Sequence, residues 1–382
     1  MSNNLAKYYL ILEACRAVPN VERLQHDIQI FTDWKSLIHT ANLHGVLPLV
    51  YQTLKSLNLP KATQNTLKLH NLQIAQTNIQ MTAELIRVVK LFEQNGITYM
   101  ALKGPVLSQI IHNDTLIRQY TDLDILVHED DAYKTGQMLC ENGYTATHAL
   151  KFLKNRTFIN LGKDFSFVNA KHHVLLELHW KLFLAKHIID IDRELFSKPL
   201  LTIAVNNTSV KTLDLNYLLI YLCLHGSKHY WERIEWIVDI DRLIRNRNAE
   251  LNWNQIQKLC KTAQIEAMFY LGLLVAHEMF ATPLPQQVLD SFNAFPNIHT
   301  AQNKIQKLIY ADDIEKIKSS ATTTNLLHEA PLKDTRYISL KHYLKTIFQI
   351  NTEDIYVIDL PRGLHWIYYP IKLFRLVFKY SK

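Results

Sequence analysis

The hydrophobic period of this chain changes twice along its length, and those two changes constrain its fold more than any other feature. Apolar residues three and four apart mark a helix; apolar residues two apart mark a half-buried strand. Residues 1 to about 95 keep the helical period. In "FTDWKSLIHTANLHGVLPLVYQTL" Asp33 is an N-cap and Gly45 and Pro48 interrupt the pattern, and "QNTLKLHNLQIAQTNIQMTAELIRVVKLFEQNG" reads as one long amphipathic helix stopped by Asn95-Gly96. From 97 to about 183 the period shortens. "ITYMAL", "DLDILV", "DFSFVNA" and "HHVLLELHWKL" are strand candidates, separated by the helical stretches "VLSQIIHN" and "EDDAYKTGQMLCENGY". From Asp214 the helical period returns through "LDLNYLLIYLCLHGSKHYWERIEWIVDIDRLIRN" and "NWNQIQKLCKTAQIEAMFYLGLLVAHEMF", and "SSATTTNLLHEAPLKD" is a connecting loop. The predicted fold class is α+β. A helical region over 1–95 precedes an α/β core over 96–200, a helical domain over 201–310, and a loop with a basic amphipathic tail over 311–382.

Composition narrows the class further. With 382 residues, 48% apolar and 20% charged, the chain supports two or three packed domains and excludes wholesale disorder. Cys15, Cys140, Cys223 and Cys260 lie far apart without a CxxC pair, which argues against structural zinc and a disulfide framework. No secretory signal and no membrane-spanning run are read, so a cytoplasmic location is expected. The net charge of +7 is concentrated at one end: Arg362, Lys372, Arg375, Lys379 and Lys382 have no acidic residue among them. The rest is close to neutral, so nucleic acid is not an expected partner.

Two aspartates interrupt the most strand-like run. In "RQYTDLDILV" Asp122 and Asp124 are two apart and share one face of a strand. Like charges there repel, and a hard cation such as Mg²⁺ removes the repulsion while taking oxygen ligands. The structural alternative has Asp122 capping a turn and Asp124 pairing with Arg118. In "HHVLLELHW" Glu177 and His179 share one face of a second apolar strand candidate and pose the same problem again. One or two divalent ions account for three such carboxylates; for Glu177 alone, a salt bridge to a neighbouring base is the alternative.

The nine glycines include no GxxxxGK and no GxGxxG. What remains is "ALKGPVL", where Lys103 and Gly104 form a tight turn and Pro105 opens a helix whose N–H groups, with the lysine, suit a phosphate. A merely solvated lysine is the plain alternative. Farther on, His225, Lys228, His229 and Glu232 fall at i, i+3, i+4 and i+7 of an apolar helix. A nucleotide- or acceptor-binding role is assigned to Lys228 and His229, against a simply solvated face. No HExxH surrounds the two histidines to make a zinc site. Trp231 and Trp236 read as core.

Taken in order, "LKGPVL", "RQYTDLDILV", "LLELHW" and "HGSKHYWERIEWIVDI" resemble the uncharacterised nucleotidyltransferase family of the DNA polymerase β superfamily, over roughly residues 30–245. The resemblance implies a mixed sheet flanked by helical segments. It places Lys103 and Gly104 at the phosphate turn, Asp122 and Asp124 as the metal pair and Glu177 as the third acid. Arg118 joins the nucleotide-binding group, and His179 matches a family position without an assigned role. It further implies two Mg²⁺ ions, an NTP substrate, transfer of a nucleoside monophosphate to an acceptor hydroxyl, and release of pyrophosphate. Lys-Gly-Pro replaces the Gly-Ser or Gly-Gly turn of many superfamily members. The acceptor class stays open among glycan, peptide and small molecule.

The tail "PRGLHWIYYPIKLFRLVFKYSK" over 361–382 reads either as a segment lying peripherally on an anionic membrane, its Lys and Arg snorkelling, or as a helix packed on the body. Two other functions fit parts of the sequence: a DxD glycosyltransferase, and a degenerate membrane-associated scaffold or regulator that has lost catalysis.

Overall fold

A computed structural model describes residues 3–182, 195–198, 200–311, 352–358, 360 and 362–372. Helices α1 (Asn3–Ala14), α2 (Val21–Ile30), α3 (Trp34–Leu43), α4 (Leu47–Leu54) and α5 (Lys61–Gln94) precede strand β1 (Tyr99–Ala101). Then follow α6 (Gly104–His112), β2 (Asp122–Val127), α7 (Ala132–Glu141), β3 (Thr145–Ala146), α8 (Arg156–Leu161), β4 (Asp164–Asn169) and β5 (Val174–His179). A hairpin, β6 (Leu201–Val205) and β7 (Thr208–Thr212), leads to α9 (Leu215–Lys228), α10 (Ile234–Arg247), α11 (Trp253–Thr262), α12 (Glu266–Phe280), α13 (Gln286–Ser291) and α14 (Ile298–Ile309). Helix α15 (Thr352–Val357) follows in the C-terminal region, before a 3-10 turn at Arg362–Ile367. The fold is α+β. The loop expected over 319–334 and the tail residues 373–382 lie outside the described residues.

Contacts divide the chain into two units that do not follow sequence order: one holds 1–87, 101–121 and 200–325, the other 88–100, 122–199 and 326–382. The boundaries drawn from the sequence at 95/96, 200/201 and 310/311 differ from this division. The first helices and α9–α14 bury their apolar faces in one core, which also takes 101–121, a stretch expected in the α/β core. Periodicity reports the type of an element and says nothing about which core it joins.

In the sheet unit the strand order is β1-β2-β5-β4-β3. β2 and β5 run parallel, with Asp124 opposite Glu177, while β5–β4 and β4–β3 are antiparallel. Alternation sorts the side chains onto two faces. Leu123, Ile125, Leu176, Leu178, Phe165 and Phe167 are all buried on one face. Phe158 of α8 meets Phe165 edge-on at 6.0 Å between ring centroids. The opposite face carries Asp122, Asp124, Asp164, Glu177 and His179. From the C-terminal region Tyr356 stacks on His148 at 3.8 Å and meets Phe152 edge-on. Within the tail Lys372 is only 6% exposed, whereas Trp366 is 64% exposed. Burial lowers the pKa of Lys372, against the attraction of Asp354, itself fully buried.

In the helical unit the expected caps and breaks are found. Asp33 accepts a hydrogen bond from the Ser36 N–H, Gly45 turns the chain at φ +72°, and Pro48 opens α4 instead of ending a helix. Helices α9, α10 and α14 pack around α12. Two breaks carry no glycine or proline. Tyr230 and Trp231 take φ of 57° and 54° between α9 and α10, and Gln264 takes 55° between α11 and α12. The proposed stripe His225–Lys228–His229–Glu232 therefore ends at His229, the C-cap of α9, and Glu232 lies beyond the helix. The break exists because Trp231, fully buried, lays its ring against Gly226, where a Cβ would overlap it, and near Gly272. The β6–β7 hairpin, absent from the expected elements, turns on Asn206 and Asn207, both with positive φ.

The segment preceding β2 is tied down by charge. Arg118, 6% exposed, donates from Nε to Asp239 Oδ1 at 2.9 Å and from Nη2 to Oδ2 at 3.0 Å. Asn78 Nδ2 donates to the Arg118 carbonyl at 2.8 Å. Glu235 lies 4.0 Å from Arg118 and 3.3 Å from Arg233, and its N–H bonds the His44 carbonyl. Gly45 leaves space that a Cβ would take from the Glu235 carboxylate. Burial, the largest influence, pushes the Glu235 carboxyl up to about 7, against the pull of the two arginines.

Asp239→Ala strands a buried guanidinium and is expected to destabilise the protein by about 3–5 kcal/mol in denaturant unfolding. Gly226→Ala forces the Trp231 ring to move and is expected to cost about 1–3 kcal/mol in the same measurement. The folded protein holds the Glu235 proton more tightly than the unfolded chain does. The stability Glu235 contributes is thus present at acid pH and lost as pH rises from 4.5 through about 7. Glu235→Gln is expected to flatten the melting temperature across that window.

Candidate metal centre

β2 is a run of apolar β-formers buried from Leu123 to Val127, so Asp124, 4% exposed, is fixed in the middle of the sheet. The parallel register sets Glu177 directly across from it, and His179 follows two residues on along the same face of β5. His179 Nε2 lies 2.9 Å from Asp124 Oδ1 and 3.4 Å from Glu177 Oε2. One ligand atom from each of the three residues lies within 4.8 Å of the others, and no other such grouping occurs among the described residues. The hydrogen bond from His179 holds the Glu177 carboxyl below the usual carboxylate range, although burial and the Asp124 charge act the other way.

A further acid belongs to this face. Asp164 opens β4 opposite His179 in the antiparallel register, with Oδ2 3.8 Å from His179 Nδ1, and it pairs with Lys163. Trp180 fixes the end of β5: its N–H bonds the Lys163 carbonyl at 2.9 Å, and its indole Nε1 donates to the Ile159 carbonyl at 2.9 Å. Sequence reasoning named neither Asp164 nor a role for His179. The signal was present in "DFSF", whose acid begins an alternating strand just as in β2.

The structure thus joins Asp124 and Glu177, two of the three expected carboxylates, and adds an imidazole to them. Asp122 is half-buried on the same face one strand period earlier, opposite Leu175, and outside the three-residue group. The Arg118 guanidinium is forked onto Asp239.

The remaining expected residues belong to the helical unit. Lys103 is the N-cap of α6 and half-buried, with Nζ 5.9 Å from the Tyr221 ring centroid, and Gly104 takes φ +61°. That angle is why glycine follows the lysine here. Thr212 Oγ1 donates to the Ala101 carbonyl at 2.6 Å just before this turn. Lys228 is exposed at the end of α9, and His229 lies 4.7 Å from the His225 ring and 5.5 Å from Trp236. Arg118 occupies a buried ion pair.

Residues 32–281 match the sequence profile of a family described as uncharacterised nucleotidyltransferase. The match runs beyond the span of the motifs, to the end of α12. The crystal structure of an antigenic nucleotidyltransferase-like protein from Paracoccidioides brasiliensis is similar over 53% of this chain and 93% of its own, at 16% identity and a TM-score of 0.33. That likeness is too slight to bear on the site. No curated protein matches the sequence. Because the family match covers more than half of the 382 residues, the chain belongs to the uncharacterised nucleotidyltransferase family.

Proposed function

We propose that the protein transfers a nucleoside monophosphate from an NTP to an acceptor hydroxyl and releases pyrophosphate, using Mg²⁺ or a similar divalent cation held by Asp122, Asp124 and Glu177. The single observation that carries this reading is the direct opposition of Asp124 and Glu177 on adjacent parallel strands, with His179 between their oxygens. Two carboxylates and one imidazole, mutually within 4.8 Å, are a donor set that fits such a cation. When bound, the cation supplies charge neutralisation at the triphosphate and a more acidic acceptor hydroxyl.

The chain's own residues position and neutralise. Asp124 is held rigidly by the buried strand around it, so little rearrangement is required to present its oxygens. In the helical unit Lys103 and the N-terminus of α6 offer a cation and unpaired N–H groups, a combination that suits phosphate oxygens. Lys228 and His229 supply further polar contacts to nucleotide or acceptor. Arg118 acts from within its ion pair by fixing the backbone that leads into β2. The acceptor is a hydroxyl-bearing glycan, peptide or small molecule. No helix among the described residues is long and apolar enough to cross a membrane.

Calorimetric titration of each NTP in the presence of Mg²⁺ tests the reading. The wild type is expected to bind at least one NTP in a metal-dependent way, and Asp122→Ala/Asp124→Ala is expected to lose that binding while retaining the circular dichroism of the fold. Once an acceptor is identified, Asp124→Asn is expected to lower turnover by about 10²-fold or more. A folded wild type that binds no NTP would overturn the proposal and favour a scaffold that has lost its catalysis.

A further inference from the structure

His179 is placed unlike an ordinary buried histidine. Its side chain is 5% exposed at the end of β5, on the face that also carries Asp124, Glu177 and Asp164, and each ring nitrogen addresses a different carboxylate set. Nε2 faces Asp124 Oδ1 and Glu177 Oε2 at 2.9 and 3.4 Å. Nδ1 points the other way, toward Asp164 Oδ2 at 3.8 Å, and is buried without a hydrogen-bond partner. An unsatisfied buried polar nitrogen costs about 1–3 kcal/mol, so a core histidine kept only for packing would be a poor choice here. The pattern matches a different use of imidazole. A ligating histidine binds the ion through one nitrogen and offers the other N–H to a carboxylate that fixes its tautomer and ring plane.

We propose that His179 Nε2 is a ligand of the cation held by Asp124 and Glu177, that Asp164 is the positioning carboxylate for His179, and that this mixed donor set binds Mn²⁺ in preference to Mg²⁺. The inference rests on the metal-dependent reading above and deepens it by naming the ligand atoms and the class of ion. The preference follows from the donors. An all-oxygen set suits Mg²⁺, whereas exchanging one oxygen for an imidazole nitrogen favours the later divalent ions, among which Mn²⁺ still accepts carboxylates readily. Strand register explains why Asp164 serves this purpose. Asp164 and His179 are directly opposed across the β4–β5 ladder, so their side chains leave the same face side by side. Lys163, paired with Asp164, holds that carboxylate at its post.

The test is Mn²⁺ binding to the full chain without nucleotide, followed by electron paramagnetic resonance. Pulsed measurements on the wild type are expected to show nitrogen coupling from a directly bound imidazole, and His179→Gln is expected to abolish it. Asp164→Asn is expected to keep the coupling but weaken Mn²⁺ binding by about 10- to 100-fold. Mg²⁺ is expected to displace Mn²⁺ with affinity about tenfold or more below that of Mn²⁺ itself. Bound Mn²⁺ without nitrogen coupling in the wild type would overturn the assignment of His179 and leave the transferase reading standing on its carboxylates. Undiminished Mn²⁺ affinity in Asp164→Asn would remove the positioning role, and equal affinity for the two ions would remove the preference. A wild type that binds no Mn²⁺ overturns the whole inference; the NTP titration with Mg²⁺ then decides independently whether the transferase reading falls as well. The wild-type spectrum needs no variant, so a misfolded substitution leaves the test intact.

Discussion

Burying one carboxylate in the middle of a sheet is the constraint from which the rest of the acidic face follows. Asp124 has apolar neighbours on either side in the chain, and a desolvated carboxylate survives only with compensation close by. Parallel pairing sets Glu177 against it, which by itself would worsen the balance. His179, two residues farther along β5, is the group that makes the pair tolerable, and Asp164 then answers the far side of its ring. The two-residue period of the strands sets Asp124, Glu177, His179 and Asp164 on one face, close enough to answer one another.

The helical unit solves the same problem by a different route. Buried Arg118, Asp239 and Glu235, with half-buried Arg233, form a group of alternating charge, and the guanidinium fork onto Asp239 binds segments 121 residues apart in sequence. Such a group contributes less to net stability than its short distances suggest, since the desolvation of every member offsets much of the attraction. What it does supply is a fixed path for the chain around Arg118 within the helical unit.

Much of this was legible in the sequence where local signals were strong. "DLDILV" is β2 from first residue to last, and Asp33, Gly45 and Asn95-Gly96 mark real boundaries. The pairing of Asp124 with Glu177 could be expected only through the family pattern, since periodicity places residues on faces and leaves strand order open. Three features escaped. Tyr230 and Trp231 leave the helical region because a distant pocket made by Gly226 and Gly272 accepts the indole, an instruction invisible to any local rule. The Asn206-Asn207 turn was readable and passed over. Asp164 and His179 gained meaning only once the β4–β5 register set them side by side.

The position of β5 between β4 and β2 has a kinetic side. β4 and β5 are joined by a short connection and can pair as soon as both are synthesised, bringing Asp164, Glu177 and His179 together early. Docking onto β2 must instead close a long loop containing α7, β3 and α8, the slower kind of event in a folding chain. Loop closure thus favours the β4–β5 pairing forming before Asp124 joins it. The convergence of ligands at this face requires β2, β4 and β5 to be paired, and a chain in which only the hairpin had formed would have the imidazole and its acids without the aspartate they are built to meet.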